Sequence, residues 1–177
     1  MKRISDIVGM EVVDSKGNPM GEVEKVICSR TRERVMGIIL KRKRFAKGNA
    51  MVHYKDILSF GDDLLIVNDR VLTKPSEIPP DISRALEEKD ITGYSVLTAE
   101  GKEIGAIRDT VISEANGRLE GYLVAGDLFE DLMKGRKILK LERSAIVGNG
   151  FITLEDNNTD DMGKKSGGLT NLLKINE

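Results

Sequence analysis

The sequence predicts an all-β protein made of two tandem, small, six-stranded β-barrels joined by a proline-containing linker. The main observation is an internal repeat, because residues 7–40 recur without a gap at 91–124 after a shift of 84. A copied stretch of this length indicates a duplicated structural unit. The second observation is a series of short β-rich runs separated by glycines, which is typical of small barrels.

Glycines and apolar residues occupy the same places in both copies. Val12 aligns with Val96, and Val23 aligns with Ile107. We expect the aligned glycines to be structural, at turns, at a bulge or bend within a strand, and where another backbone passes close by. They are Gly9, Gly17, Gly21 and Gly37 in the first copy and Gly93, Gly101, Gly105 and Gly121 in the second.

Each copy contains a predicted hairpin and further strands. The polar cluster at 14–18 separates two β-rich runs, which is a hairpin signal. After a loop the copies match again at a shift of 87, which places residues 64–67 on 151–154. The second copy therefore has three extra residues near 127–134, and each copy has about six strands.

The motif G-M-E-V-V-D-S-K-G-N-P-M-G-E-V at 9–23, followed by G-I-I-L at 37–40, resembles the PRC-barrel family. The resemblance covers roughly 4–69 and 88–156. This domain occurs in the H subunit of the bacterial photosynthetic reaction centre and at the C-terminal end of a small-subunit ribosome maturation factor. The resemblance implies a six-stranded barrel-like domain that serves as a docking or assembly module and brings no catalytic residue, although fold alone does not fix function.

The repeat also sets the predicted domain boundaries. We expect a first PRC-barrel domain at 1–69, a linker at 70–89, a second PRC-barrel domain at 90–156 and a disordered tail at 157–177. Prolines interrupt regular structure in the linker, and Asp81 or Ser83 is a candidate cap for a short helix through Glu88. The tail ends in apolar residues that fit either a short helix on their own barrel or a docking motif for another protein: Leu169, Leu172, Leu173 and Ile175.

Composition indicates a cytoplasmic protein. Hydrophobic residues make up 40% of the chain and charged residues 32%, and tryptophan is absent. Asp6 and Glu11 interrupt any apolar run near the start, so no signal peptide is predicted, and no stretch approaches the length of a membrane span. The single Cys28 cannot form an internal disulfide.

Charge is the strongest chemical signal, and it differs between the two halves. Residues 1–72 hold 14 basic and 10 acidic residues (net +4), whereas residues 73–177 hold 14 and 19 (net −5). A segment at 30–47 alone has a net charge of +7, while the matching segment at 114–134 has −3. We call its basic residues the basic cluster: Arg30, Arg32, Arg34, Lys41, Arg42, Lys43, Arg44 and Lys47.

The basic cluster has three interpretations from sequence. It is a solvated strand end that protects an edge from unwanted strand pairing, a surface for the phosphates of RNA or the ribosome, or a surface for an acidic protein partner. A further hypothesis is that the positive segment faces the negative segment of the other copy, within the chain or across a dimer.

No residues form an enzyme motif. His53 is the only histidine and the chain lacks C-x-x-C and H-x-x-x-H, so no metal site is predicted. Cys28 aligns with an apolar residue and is expected to be a small core side chain. Asp62 and Asp63 fit a turn, and no phosphate-binding loop matches. We expect no catalytic residue and no cofactor.

The sequence therefore predicts a non-catalytic adaptor that binds another protein through its PRC barrels. Two linked barrels raise avidity when both engage one partner. The alternative is an RNA- or ribosome-associated factor that uses the basic cluster, and phosphate binding of that kind weakens steeply with salt. Exposed barrel edges are also compatible with a homodimer.

Overall fold

Strands dominate both copies, as the sequence predicts. The structure is a computed structural model, and it describes residues 1–42, 50–69, 72–74, 77–125, 137–139 and 146–154. The first part of the chain contains β1 (Lys2–Arg3), α1 (Ile4–Ile7), β2 (Glu11–Asp14), β3 (Pro19–Ser29), β4 (Arg34–Lys41), β5 (Ala50–His53), a 3₁₀ turn (Tyr54–Asp56), β6 (Ile57–Phe60), β7 (Leu64–Val67) and α2 (Pro80–Glu87). The second part contains β8 (Ser95–Leu97), β9 (Glu103–Ile112), β10 (Leu119–Ala125), β11 (Lys137–Leu139), β12 (Ile146–Val147) and β13 (Phe151–Thr153).

The two sheets have the same topology. The order is β5-β4-β3-β2-β7-β6 in the first sheet and β11-β10-β9-β8-β13-β12 in the second, so each strand is replaced by its repeat counterpart. β2 pairs with β7 in parallel, and β8 pairs with β13 in parallel with the equivalent register. β1 adds to the end of β9. The predicted duplication and the six strands per copy are confirmed, whereas closure of the sheets into barrels stays a prediction.

The chain divides into two compact units. The first unit comprises Met1–Lys89 and Val111–Glu120, and the second comprises Asp90–Thr110 and Gly121–Glu177. Inside the first unit, the Val35 amide donates to the Gly117 carbonyl at 2.7 Å, and the Leu119 amide donates to the Glu33 carbonyl at 2.9 Å. The first unit therefore includes the turn between β9 and β10, which belongs by sequence to the second copy.

The core of the first unit lies on one face of its strands. Along β4, Ile38 and Leu40 are buried in alternation on one face, and Val35 joins the same core beyond a shift in the β3–β4 register between Ile27 and Cys28. Cys28, which was expected to be a small core side chain, is half-buried and packs against this core. The other buried members are Ile7, Met10, Val12, Val23, Val26, Val52, Leu65, Val67 and Ile112.

The second unit repeats this core with equivalent residues. Val96 and Ile152 have no exposed surface and correspond to the fully buried Val12 and Leu65 of the first unit. The other buried apolar residues of the second unit are Ile91, Ile104, Ile107, Tyr122, Val124, Leu139 and Leu154. The copied apolar pattern thus builds two separate interiors.

The predicted hairpin turn forms in both copies with different side chains. In the first, the Asp14 carboxylate accepts hydrogen bonds from the Lys16 and Asn18 amides at 2.9 and 2.8 Å. The Asn18 side-chain amide donates a further bond at 2.8 Å, and this bond, with the two backbone bonds, holds the pKa of Asp14 below its usual value. In the second, the Thr98 hydroxyl accepts one weaker bond, from the Lys102 amide at 3.3 Å.

Gly37 is required by close packing of backbones, as the sequence predicts. A Cβ atom at Gly37 would collide with the carbonyl oxygen of Val52 on the paired strand β5. The equivalent Gly121 lies in the same situation, because a Cβ there would come within 2.5 Å of the Leu139 carbonyl oxygen. These contacts leave room only for glycine.

Helix α2 lies within the predicted linker and packs on the first sheet. It begins at Pro80, whose missing amide and fixed φ suit the first helical position, so Asp81 and Ser83 lie inside the helix and do not cap it. Its buried Ile82 and Ala85 pack with Ile27 and Met51 of the sheet. The last part of the predicted linker is therefore an ordered part of the first unit.

Candidate interaction surface

Exposed apolar side chains occur at equivalent hairpins in the two units. Leu64 begins β7 and is 38% exposed, and Phe151 begins β13 and is 40% exposed. The shift of 87 places one residue on the other. We call Leu64 and Phe151 the hairpin apolar positions. Each unit adds a second exposed apolar residue nearby in sequence, Leu58 on β6 and Val147 on β12.

The same backbone geometry presents both hairpin apolar positions. The Gly61 amide donates to the Leu64 carbonyl at 2.9 Å, and the Gly148 amide donates to the Phe151 carbonyl at 2.9 Å. The ring of Phe151 lies over Gly148, where a Cβ atom would come within 2.5 Å of it. The glycine thus holds the aromatic ring on the surface, next to an edge strand of the sheet.

Arg30 of the basic cluster is paired with the end of the predicted linker. Its amide donates to Glu88 Oε2 at 2.7 Å, and its Nε lies 3.5 Å from the same oxygen. Glu88 Oε1 accepts a hydrogen bond from the Ser29 hydroxyl at 2.9 Å, and Ser29 is only 3% exposed. We call this arrangement the Glu88 latch. It joins the end of α2 to the end of β3.

Arg32 also has a partner on α2. Its guanidinium donates to Asp81 Oδ2 at 3.1 Å, with both side chains well exposed, so the pair contributes little to stability. This pair lines a cavity of ≈ 90 Å³ together with Ser29, Thr31, Arg84, Ala85 and Glu88. Ligand pockets usually enclose about 300–1,000 Å³, so this cavity does not support a small-molecule site.

Arg34 lies over an aromatic ring. Its guanidinium carbon is 5.9 Å from the centre of the Tyr54 ring, at cation–π distance. The Tyr54 hydroxyl donates to the Glu114 carbonyl at 3.3 Å within the first unit. Burial raises the pKa of Tyr54 above its ordinary value, and the Arg34 charge offsets part of this rise.

The rest of the basic cluster is only partly described. Lys41 ends β4 and Arg42 follows it, and both side chains are exposed. Lys43, Arg44 and Lys47 lie outside the described residues. The structure thus divides the described cluster into three arginines with intramolecular partners and two exposed basic residues at the end of β4.

The hypothesis that the positive segment faces the negative one can be followed only at 30–42 and 114–125, the parts of the two segments that the structure describes. Residues 33–35 and 117–119 do meet within the first unit, but backbone hydrogen bonds join them. Arg34 is even paired with Arg118 across an isolated β-bridge. Arg32 pairs with Asp81 of α2 and Arg30 with Glu88 just after it, which the charge count along the sequence did not reveal.

The other candidates from sequence have structural positions. His53 is half-buried at the end of β5, and Asp62 and Asp63 are exposed in the turn before β7. Within the part of the chain that the structure describes, no group of three or more His, Cys, Asp or Glu side chains could hold a metal ion. No described helix is long and apolar enough to cross a membrane.

Sequence reasoning missed the hairpin apolar positions and the Glu88 latch. The signal for the hairpins was available, because the repeat aligns Leu64 with Phe151 in the same turn after a glycine. An apolar residue at the start of a strand is usually assigned to the core, whereas these two are exposed. The latch had no sequence signal, since Ser29 and Glu88 are 59 residues apart.

Comparison with protein-family models agrees with the repeated topology. The model described as the PRC-barrel domain matches the chain twice, at residues 1–77 and at residues 86–157. The two matches correspond to the two copies of the sheet. A search of curated proteins gave no match.

Proposed function

The chain belongs to the PRC-barrel family, and from this membership we propose that it is a non-catalytic adaptor that binds a protein partner through both of its PRC-barrel domains. Domains of this family are generally protein-interaction modules and generally not catalytic. The partner contacts the hairpin apolar positions, one on each domain. A cytoplasmic location is part of this proposal.

The observation that carries the proposal is the repeated exposure of an apolar side chain. Leu64 and Phe151 are 38% and 40% exposed, although the residues that follow them, Leu65 and Ile152, are fully buried. Single exposed apolar residues are ordinary, but exposed clusters mark interaction sites. Here the exposed apolar residue recurs at the equivalent place on both domains, Leu64 on one and Phe151 on the other.

Two copies of one binding feature give a reason for the duplication. When the first domain binds, the second domain is held near the partner at a high effective concentration. Loss of both hairpin apolar positions should then weaken binding more than loss of either one. The end strands of the two described sheets, β6 and β12, are the places where an extended segment of the partner would add by strand pairing.

The alternative function is an RNA- or ribosome-associated factor that uses the basic cluster. The exposure of Lys41 and Arg42 favours it. Arg30 and Arg32 count against it, because carboxylates of α2 already lie beside both guanidinium groups. A phosphate ligand would have to compete with these carboxylates. The adaptor proposal does not require such competition.

Partner capture from lysate tests the two functions with matched variants. The tagged chain is compared with Leu64→Ser, with Phe151→Ser and with the double variant, each with and without nuclease. Asp63→Ser is the control, because Asp63 is an exposed neighbour of Leu64 in the same turn. Lys41→Glu with Arg42→Glu tests the exposed basic residues.

The adaptor proposal expects one protein that survives nuclease and is retained by the Asp63→Ser chain. Its recovery should fall with either hairpin variant and should be lost with the double variant. Capture that disappears on nuclease treatment and with the Lys41→Glu and Arg42→Glu changes would instead support the RNA-associated function. Recovery that is unchanged in the double hairpin variant would reject the hairpins as the binding surface.

A further inference from the structure

Helix α2 covers a specific residue pair on the outer face of the first sheet. Ile39 of β4 is directly opposite Met51 of β5 in the strand register. Both residues pack in one cluster with Ile82 and Ala85 of α2. Under this cover Met51 is only 1% exposed. The outer face of this sheet is therefore apolar and depends on the helix to exclude water.

The second sheet has the same residue pair. Leu123 of β10 is directly opposite Ile138 of β11, at the positions that the repeat aligns with Ile39 and Met51. Unlike the buried Met51, Ile138 is only half-buried, while Leu123 is half-buried to the same class as Ile39. Among the described residues, the second unit has no helix that corresponds to α2. This apolar pair has thus been copied without a described cover, whereas Met36 of the first face is replaced by Glu120 in the second.

The tail contains the residues that the repeat predicts for such a cover. The shift of 87 that superposes β5–β7 on β11–β13 also places Ile82 on Leu169, Ala85 on Leu172 and Leu86 on Leu173. These three leucines lie outside the described residues. Their spacing of three and four residues is that of one face of an amphipathic helix. The segment also follows its sheet at the same distance along the chain as α2 follows the first sheet.

We propose that residues 169–173 are the second copy of α2 and cover the Leu123–Ile138 pair on their own unit. The occupant of this face is thus the chain's own tail. The assignment rests on the common register of both sheets and both segments and does not depend on the proposed adaptor function. It distinguishes the tail from a docking motif that is free to bind another protein.

The repeat also predicts how the two covers differ. Glu88, the centre of the latch in the first unit, corresponds to Ile175 in the tail, and Arg30 corresponds to Glu114. The tail therefore has no ionic latch at the equivalent place. Its docking depends on apolar burial, which salt screening does not weaken. We expect tail docking to persist at high salt.

Hydrogen–deuterium exchange on the full chain tests the proposal. The wild type is compared with Leu172→Asp/Leu173→Asp, which places two charges on the docking face. The matched control is Asn171→Asp, because residue 171 corresponds to Arg84, an exposed position on α2. These substitutions lie in the tail, so they leave the sheets able to fold, and thermal unfolding of each variant verifies this.

In wild type we expect amides of 170–175 to exchange about tenfold more slowly than in an unstructured peptide, which corresponds to ~1.4 kcal/mol of docking. The double variant should lose this protection and expose peptides of β10 and β11, whereas the Asn171→Asp chain should keep it. Unprotected tail amides in the wild type would overturn the proposal. Protection that disappears on dilution would also overturn it, because the tail would then bind a second copy.

Discussion

Removal of the Glu88 latch by Glu88→Ala should destabilise the first unit by about 3 kcal/mol. The Glu88 side chain is 19% exposed and accepts hydrogen bonds from the Ser29 hydroxyl and the Arg30 amide. A bond to a charged group contributes ~1.5–3 kcal/mol, and a buried donor left without a partner costs ~1–3 kcal/mol. The longer contact with the half-exposed Arg30 guanidinium adds less than ~1 kcal/mol.

The assay must report on the first unit alone, because a chain of two units does not unfold as one two-state system. Hydrogen exchange of peptides from β3 and β4 meets this need, since these strands carry α2. A loss of about 3 kcal/mol should accelerate exchange there roughly 100-fold, at tenfold per ~1.4 kcal/mol. Glu87→Ala is the matched control, because Glu87 is the exposed neighbour at the end of the same helix.

One result for Glu88→Ala would contradict this prediction. If exchange in β3 and β4 accelerates no more than in the Glu87→Ala chain, the latch does not hold α2 on the sheet. Such a result would mean that the apolar contacts of Ile82 and Ala85 are sufficient. Acceleration in β10 as large as in β4 would instead show a global effect.

Two further predictions concern the strands and turns of the first unit. Gly37→Ala should cost ~1–3 kcal/mol, because the added methyl group collides with the Val52 carbonyl, and a melting temperature equal to wild type would contradict this. For pH, the lowered pKa of Asp14 means that its stabilising effect is full above the unfolded value of 3.8 and is lost as pH falls through the lower folded value. As pH falls, amide exchange in the turn at 14–18 should therefore accelerate more in the wild type than in the Asp14→Asn variant. In the equivalent turn at 98–102, which has Thr98 in place of Asp14, the same substitution at residue 14 should leave exchange unchanged.

The fold could be predicted because its evidence is local and repeated. Glycines at 37 and 121 mark the close approach of two backbones, and apolar alternation fixes which face of each strand is buried. Both signals occur in each copy of the repeat, so a strand predicted in one copy is supported by the equivalent strand in the other. The packing of α2 could not be predicted in this way, because prolines before it indicate a linker and its cover of Met51 depends on tertiary contacts.

The candidate surface could be predicted only in part, for a physical reason. A count of charges along the chain identifies Arg30 and Arg32 as one dense positive segment, but electrostatic pairing is decided by distance in space. Carboxylates at 81 and 88 lie within 3.1 and 3.5 Å of these two side chains after folding. The charge count therefore overestimated the free positive charge in this region, and the alignment of Leu64 with Phe151 did not by itself show that both are exposed.

The Glu88 latch and the hairpin apolar positions differ in whether folding requires them. The Glu88 latch occurs in one copy and gives the Arg30 amide and the buried Ser29 hydroxyl a carboxylate acceptor at the end of β3. Exposed Leu64 and Phe151 satisfy no such need, since a polar residue at the start of either strand would leave the buried Leu65 and Ile152 in place. A feature that folding does not require but that both domains present is better explained by binding. Mutagenesis for function should therefore begin at the hairpins, and mutagenesis for stability at the latch.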